Sequence, residues 1–119
     1  LPASEEDATT LQLLKPLAAV LAVCLLLPAP VAAQDVQAGR QRAQACAVCH
    51  GPLGLSTVPD APHLAGQPAL YLAAQLRAYR SGSRRHEVMN VMARALTDED
   101  IGHLAAWYAA IRIDAQPPQ

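Results

Sequence analysis

Residues 46–50 read Cys-Ala-Val-Cys-His, and no other stretch constrains the fold of this chain as tightly. Two thiols two residues apart, followed at once by an imidazole, form the pattern at which haem is attached covalently. Each thiol adds across one vinyl group of the porphyrin to give a thioether, and the adjacent histidine offers a ring nitrogen to the iron from one face. Two other readings compete. A thioredoxin-like redox pair needs a βαβ setting, and no strand-rich, alternating segment is present. Closed structural zinc takes four ligands. The remaining cysteine is Cys24, far upstream, and His63, His86 and His103 show no paired ligand spacing.

At 119 residues the chain has room for one compact domain. Its apolar fraction is concentrated near the start. Lys15 precedes an unbroken apolar run from Leu17 to Leu27, and Pro28-Ala29-Pro30-Val31-Ala32-Ala33 follows. Positive flank, short apolar run, proline and then small residues are the layout of an export signal. Residues 1–33 are therefore expected to be a signal peptide cleaved after Ala33, with residues 34–119 as the haem domain. The run is shorter than the roughly 20 residues that span a bilayer, although retention as an uncleaved anchor is the alternative. A lipid anchor on Cys24 is disfavoured by bulky Val23 and by the apolar run continuing past it. Haem is attached to such motifs outside the bacterial cytoplasm, so signal and motif support one another. After residue 33 there is no lysine, and arginines only slightly outnumber acids, which argues against nucleic acid as a partner.

The remaining pattern is helical. Asp35 is expected to cap a first helix from Val36 to about Ala45, which leads into the Cys-Ala-Val-Cys-His motif. Residues 51–62 read as a loop. Pro68 is expected at the first position of a second helix, whose buried face would be Ala69, Leu72, Ala73, Leu76 and Tyr79, with Gly82 as its C-terminal cap. A loop is expected to carry Met89 and Met92. Thr97 and Asp100 form a capping box opening a last helix, with Ile101, Leu104, Ala105, Tyr108 and Ile111 facing inward and Trp107 at one edge. Arg77, Arg80, Arg84 and Arg85 cluster where the second helix ends. They read either as a solvated helix end, as a surface steering an acidic partner, or as a source of one bond to a haem propionate. With under about 90 residues after the signal and no phenylalanine, the chain has little core of its own, so the porphyrin would supply one.

The chain from residue 34 onward resembles a class I c-type cytochrome, of the small bacterial single-haem type and similar to one half of the dihaem cytochrome c4 group. The likeness rests on Cys46 to Gly51, on Pro62-His63-Leu64-Ala65-Gly66-Gln67 with Tyr71-Leu72 and Gln75-Leu76, and on Met89-x-x-Met92-Ala93 with Leu96 and Asp98-Glu99-Asp100-Ile101. It implies an all-α fold in which the N- and C-terminal helices cross around one covalently attached haem c. Gly39 would lie at that crossing with Trp107 as its aromatic partner. It further implies Cys46 and Cys49 as thioether anchors, His50 as proximal ligand, and the Pro62 carbonyl as acceptor for the other ring N–H of His50. The sixth ligand it implies is Met89, with Met92 as the alternative and His86 or His63 as weaker ones. His63 is expected at the surface, and His103 solvated or partly packed.

The function implied is one-electron transfer between respiratory or oxidative complexes by an exported, periplasmic monomer. Its partners would be redox proteins, such as a membrane oxidoreductase or a terminal oxidase, and no substrate would be converted on the chain itself. A haem c subunit of a larger oxidoreductase is the second reading. An open-site haem that binds gas or turns over peroxide is the third.

Overall fold

In the computed structural model the described residues are 34–119, and they form helices joined by loops, with no strand among them. The signal reading of residues 1–33, and Cys24 with it, lies outside the described residues. Helix α1 spans Val36–Arg42. The Asp35 carboxylate accepts the N–H groups of Gln37 at 2.7 Å and Ala38 at 3.2 Å, as the sequence predicts. The expected continuous helix to Ala45 is broken: Ala43–Ala45 tighten into a 3₁₀ turn before the short helix α2, Ala47–His50. That tightening brings the two cysteines to the end of α1 without extending it.

Helix α3, Ala69–Ser81, starts one residue later than predicted. Pro68 is its cap rather than its first turn, with extended ψ and a carbonyl that accepts the Leu72 N–H at 3.0 Å. Of the expected inward face, Leu72 and Ala73 are buried, Leu76 and Tyr79 are half-buried, and Ala69 is exposed. Gly82 ends the helix in the left-handed region at φ 82°, a conformation that costs glycine nothing. The stretch expected to be a loop contains helix α4, Glu87–Arg94. His86 caps it by accepting the Met89 N–H through Nδ1 at 3.3 Å, a role outside the usual set of capping residues. Helix α5 runs Asp98–Ala110 and opens with the predicted Thr97–Asp100 capping box. Ile111 follows it as a half-buried cap residue rather than as part of the helix. Residues 114–119 have no regular structure and are exposed, as expected.

The core is small. Ala43, Leu72, Ala73, Ile101, Leu104, Ala105 and Tyr108 are its buried members, with Leu64, Leu76, Leu96 and Trp107 packed around them. Helix α5 is central, since α1 and α3 both pack on it. The crossing with α1 occurs at Gly39, where a Cβ would lie 2.8 Å from Trp107 Cβ and 2.7 Å from the His103 carbonyl carbon. Backbone-to-backbone contact of this kind leaves no flexible group to yield. Gly39→Ala should therefore pry the two helices apart and cost about 3 kcal/mol, at the upper end for overpacking. The fall in the guanidinium midpoint of the haem-loaded protein measures it, and an unchanged midpoint would contradict the crossing geometry.

Ion pairs fasten both ends of this arrangement. Arg42 of α1 donates to Asp100. Arg80 of α3 donates to the Leu96 carbonyl at 2.9 Å and to Asp98 at 2.6 Å. The bond from Arg80 holds the Asp98 carboxyl below the usual carboxylate range. For Asp100 the Thr97 backbone N–H is the main cause of the same downward shift, with Arg42 adding to it against partial burial. A carboxylate depressed in the folded state stabilises above its unfolded pKa of about 4 and loses that contribution as pH falls through the folded value. Thermal stability should thus decline below about pH 4. Asp100→Asn should start lower and decline less steeply, read as the melting temperature against pH.

Candidate haem-binding site

Between α2, α3, α4 and α5 lies a cavity of about 640 Å³, lined mainly by apolar side chains. The short α2 places Cys46, Cys49 and His50 on its wall. Cys46 is half-buried and Cys49 exposed, both as free thiols. Burial pushes the Cys46 thiol up, against an opposing hydrogen bond with the Tyr108 hydroxyl. The Tyr108 phenol is itself raised, chiefly by burial.

His50 is the buried polar residue among those described. Its Nδ1 lies 2.9 Å from the Pro62 carbonyl oxygen. A carbonyl only accepts, so the ring proton sits on Nδ1 and the lone pair on Nε2. An imidazole fixed this way has the tautomer and orientation of a metal ligand. The loop that carries Pro62 is tied to the thiol segment by Ser56. Its hydroxyl donates to the Cys49 carbonyl at 2.8 Å, while its N–H donates to His63 Nδ1 at 2.8 Å.

Met89 and Met92 are one helical turn apart on α4 and both line the cavity, Met89 half-buried and Met92 exposed. All six residues singled out from the sequence, Cys46, Cys49, His50, Pro62, Met89 and Met92, thus meet at one cavity. His63 is exposed, as expected, yet lies at the rim. His86 is committed to capping α4 and packs edge-on against Tyr79 at 6.4 Å. His103 and Trp107 belong instead to the α1 crossing, where the Arg40 guanidinium stacks 5.8 Å from the indole. The sequence did not single out Gln75, Tyr71 or Asp60 as lining residues, because their places depend on how α3 and the 58–63 loop pack around the cavity.

The donor set fits haem c. Two thiols and an oriented imidazole stand at one wall. Soft thioether sulfurs, which suit haem iron, stand on α4, and Leu72, Leu76 and Leu104 supply an apolar lining for a flat ring.

Comparison with known proteins agrees with the geometry. The Cytochrome c family model matches residues 36–110. Cytochrome c-554(548) of Halomonas halodenitrificans is 41% identical over 81 residues, covering 66% of this chain and 98% of that protein. The thiosulfate dehydrogenase electron acceptor of Stutzerimonas stutzeri is 41% identical over 69 residues, 56% of this chain and 32% of that one. Reduced recombinant cytochrome c4 from Pseudomonas stutzeri superposes with a TM-score of 0.64 at 34% identity, over 67% of this chain and 47% of that structure. The chain therefore spans nearly the full length of the first and less than half of the other two.

Proposed function

The chain belongs to the cytochrome c family and carries one covalently attached haem c for electron transfer, and from there we propose an exported single-electron carrier whose iron is held between His50 and Met89. The observation that carries this reading is the His50–Pro62 bond, with Met89 lining the same cavity. When bound, the haem supplies an iron that passes between ferric and ferrous states one electron at a time. Cys46 and Cys49 would tether the ring, and Pro62 would hold the His50 imidazole in place. Met89 offers a sulfur that favours ferrous iron and raises the potential, while Leu72, Leu76 and Leu104 keep water from the ring. With His50 and Met89 both holding the iron, no position would be left open for a substrate, and the chain would convert nothing by itself.

Partners are proposed to be larger redox proteins, a membrane oxidoreductase or a terminal oxidase among them. The name of the Stutzerimonas relative supports a dehydrogenase as one class of donor. Val48, between the two cysteines, is 84% exposed and gives such a partner an apolar contact beside the attachment site. Export and a periplasmic place rest on the sequence of residues 15–33. No helix among the described residues is long and apolar enough to cross a membrane. A haem module within a larger oxidoreductase is the second reading. Stable co-purification with a larger subunit would select it.

The test is spectroscopic. Haem-loaded protein should exchange one electron per chain in a reductive titration, and the ferrous form should not take up carbon monoxide at neutral pH. Uptake without denaturant would replace the carrier by an open-site haem protein.

A further inference from the structure

Cys49, Ser56, His63, Pro62 and His50 form a closed circuit beside the attachment motif. The Ser56 hydroxyl donates to the Cys49 carbonyl at 2.8 Å, and the Ser56 N–H donates to His63 Nδ1 at 2.8 Å. His63 follows Pro62 in the chain, and the Pro62 carbonyl accepts from His50 Nδ1 at 2.9 Å. His50 is in turn the neighbour of Cys49. The other ties of this loop act elsewhere. Ala61 donates to the Val58 carbonyl at 3.2 Å, within the loop's own turn. Leu64 and Ala65 donate to the Gly54 carbonyl at 2.7 and 3.1 Å and fix the base of the loop. Among the side chains of the described residues, that of His63 ties the end carrying Pro62 to the segment that Ser56 anchors on Cys49. The bond also fixes the state of His63. A backbone N–H only donates, so Nδ1 carries the lone pair and Nε2 the proton. His63 is exposed at the cavity rim, where water can deliver a second proton. Both nitrogens of a protonated imidazole donate, and Nδ1 can then no longer accept from Ser56.

We propose that His63 is a positioning residue for the ligand His50: through Ser56 it braces Pro62 against the imidazole, and it releases that brace on taking up a proton. The proposal rests on His50 as the proximal ligand but not on the identity of the sixth ligand. Hydrogen-bond partners of a ligating histidine tune the metal it holds. With the brace closed, the His50 N–H bonds firmly to its acceptor and the ring gives more electron density to iron, which favours the ferric state. With the brace open that bias weakens and the ferrous state gains. The charge that a protonated His63 carries acts in the same direction, so the two effects have to be separated by uncharged variants. The other titratable or charged side chains around the cavity are Asp60 on the same loop, Tyr71 and Tyr79 of α3, Arg84 and His86 ahead of α4, and Tyr108 of α5. A step due to His86, or to a carboxylate of the haem itself, would survive the removal of His63.

The experiment is a spectroelectrochemical titration of the haem-loaded protein from mildly acid to mildly alkaline pH, for wild type, H63N and H63L. Asparagine places Oδ1 where His63 has Nδ1, so H63N keeps the acceptor and cannot be protonated. H63L loses the acceptor, and both variants are uncharged at this position. At alkaline pH and a fixed applied potential, the ferrous-to-ferric ratio of H63L should exceed that of H63N by about threefold. That is a part of the roughly 10- to 100-fold by which direct partners of a ligand act. The wild type should coincide with H63N there and rise above it as pH falls. In the ferrous, diamagnetic protein the Ser56 amide should exchange with solvent about tenfold faster in H63L than in H63N, the worth of one hydrogen bond. Equal ratios in H63L and H63N at alkaline pH would overturn the proposal, as would an acid rise that H63N shares in full. Equal Ser56 exchange rates would do the same. Failure of the ligation reading is seen separately, as an H50A variant that binds haem with the wild-type spectrum.

Discussion

The chain with both Cys46 and Cys49 replaced by alanine, which cannot attach haem, is expected to be largely unfolded. Far-ultraviolet circular dichroism should show little of the helix content of the loaded protein, and no cooperative thermal transition. The reason is the size of the cavity against the size of the core. Among the described residues the large side chains that are fully buried are Ile101 and Leu104, and the chain contains no phenylalanine. Leaving a cavity of about 640 Å³ unfilled would cost about 15 kcal/mol at about 24 cal/mol per Å³. Even half of that, allowing for the side open to solvent, matches the 5–15 kcal/mol by which whole domains are stable. Folding is thereby coupled to the cofactor as it is in small metal-bound domains. A sharp melt of the haem-free chain would show that α1, α3 and α5 suffice by themselves.

Met89→Ala is expected to have the largest effect on function. It should abolish the weak far-red band that methionine sulfur gives on ferric haem. It should also open the ferrous protein to carbon monoxide, and lower the potential by on the order of hundreds of millivolts, the scale over which axial ligands act. Met92→Ala should keep the band and change the potential little. The two methionines share a helix face one turn apart, so the contrast is demanding. Met89 is the more buried of the two, while Met92 is 41% exposed. It also follows the His86 cap directly within the first turn of α4, where its backbone is held. If the band survives Met89→Ala and is lost in Met92→Ala, the ligand is the second methionine and the α4 register has been misread.

How much of this was legible beforehand differs from element to element. The start of α1, the end of α3 and the start of α5 could be placed because their signals are local. Asp35 finds its donors two and three residues on, Thr97 and Asp100 answer each other across one turn, and Gly82 needs only its own left-handed φ. Helix α4 could not be placed. Eight residues containing Val88 and Val91, preceded by Ser-Gly-Ser-Arg-Arg and capped by a histidine, carry weak intrinsic preference for a helix. What holds them is distant: Asn90 reaching the Tyr79 and Arg84 carbonyls, and Ala93 buried completely. Pro68 was displaced by one position for a similar reason. The loop before it is set by the Gly66 N–H donating to the Tyr108 carbonyl on the far side of the fold, and helix propensity near Pro68 has no part in that.

By itself the sequence determined the chemistry of attachment, since two thiols and an imidazole at fixed spacing admit few uses, and it determined where α1 and α5 begin and where α3 ends, since caps act within one turn. Only the tertiary structure decided that Pro62 meets His50 across twelve residues, that Met89 and Met92 stand on a helix, and that Arg84 alone among the arginines lines the cavity. Those outcomes depend on groups far apart in the chain packing around a common space. That space is shaped by the fold as a whole, so no single stretch of residues contains it.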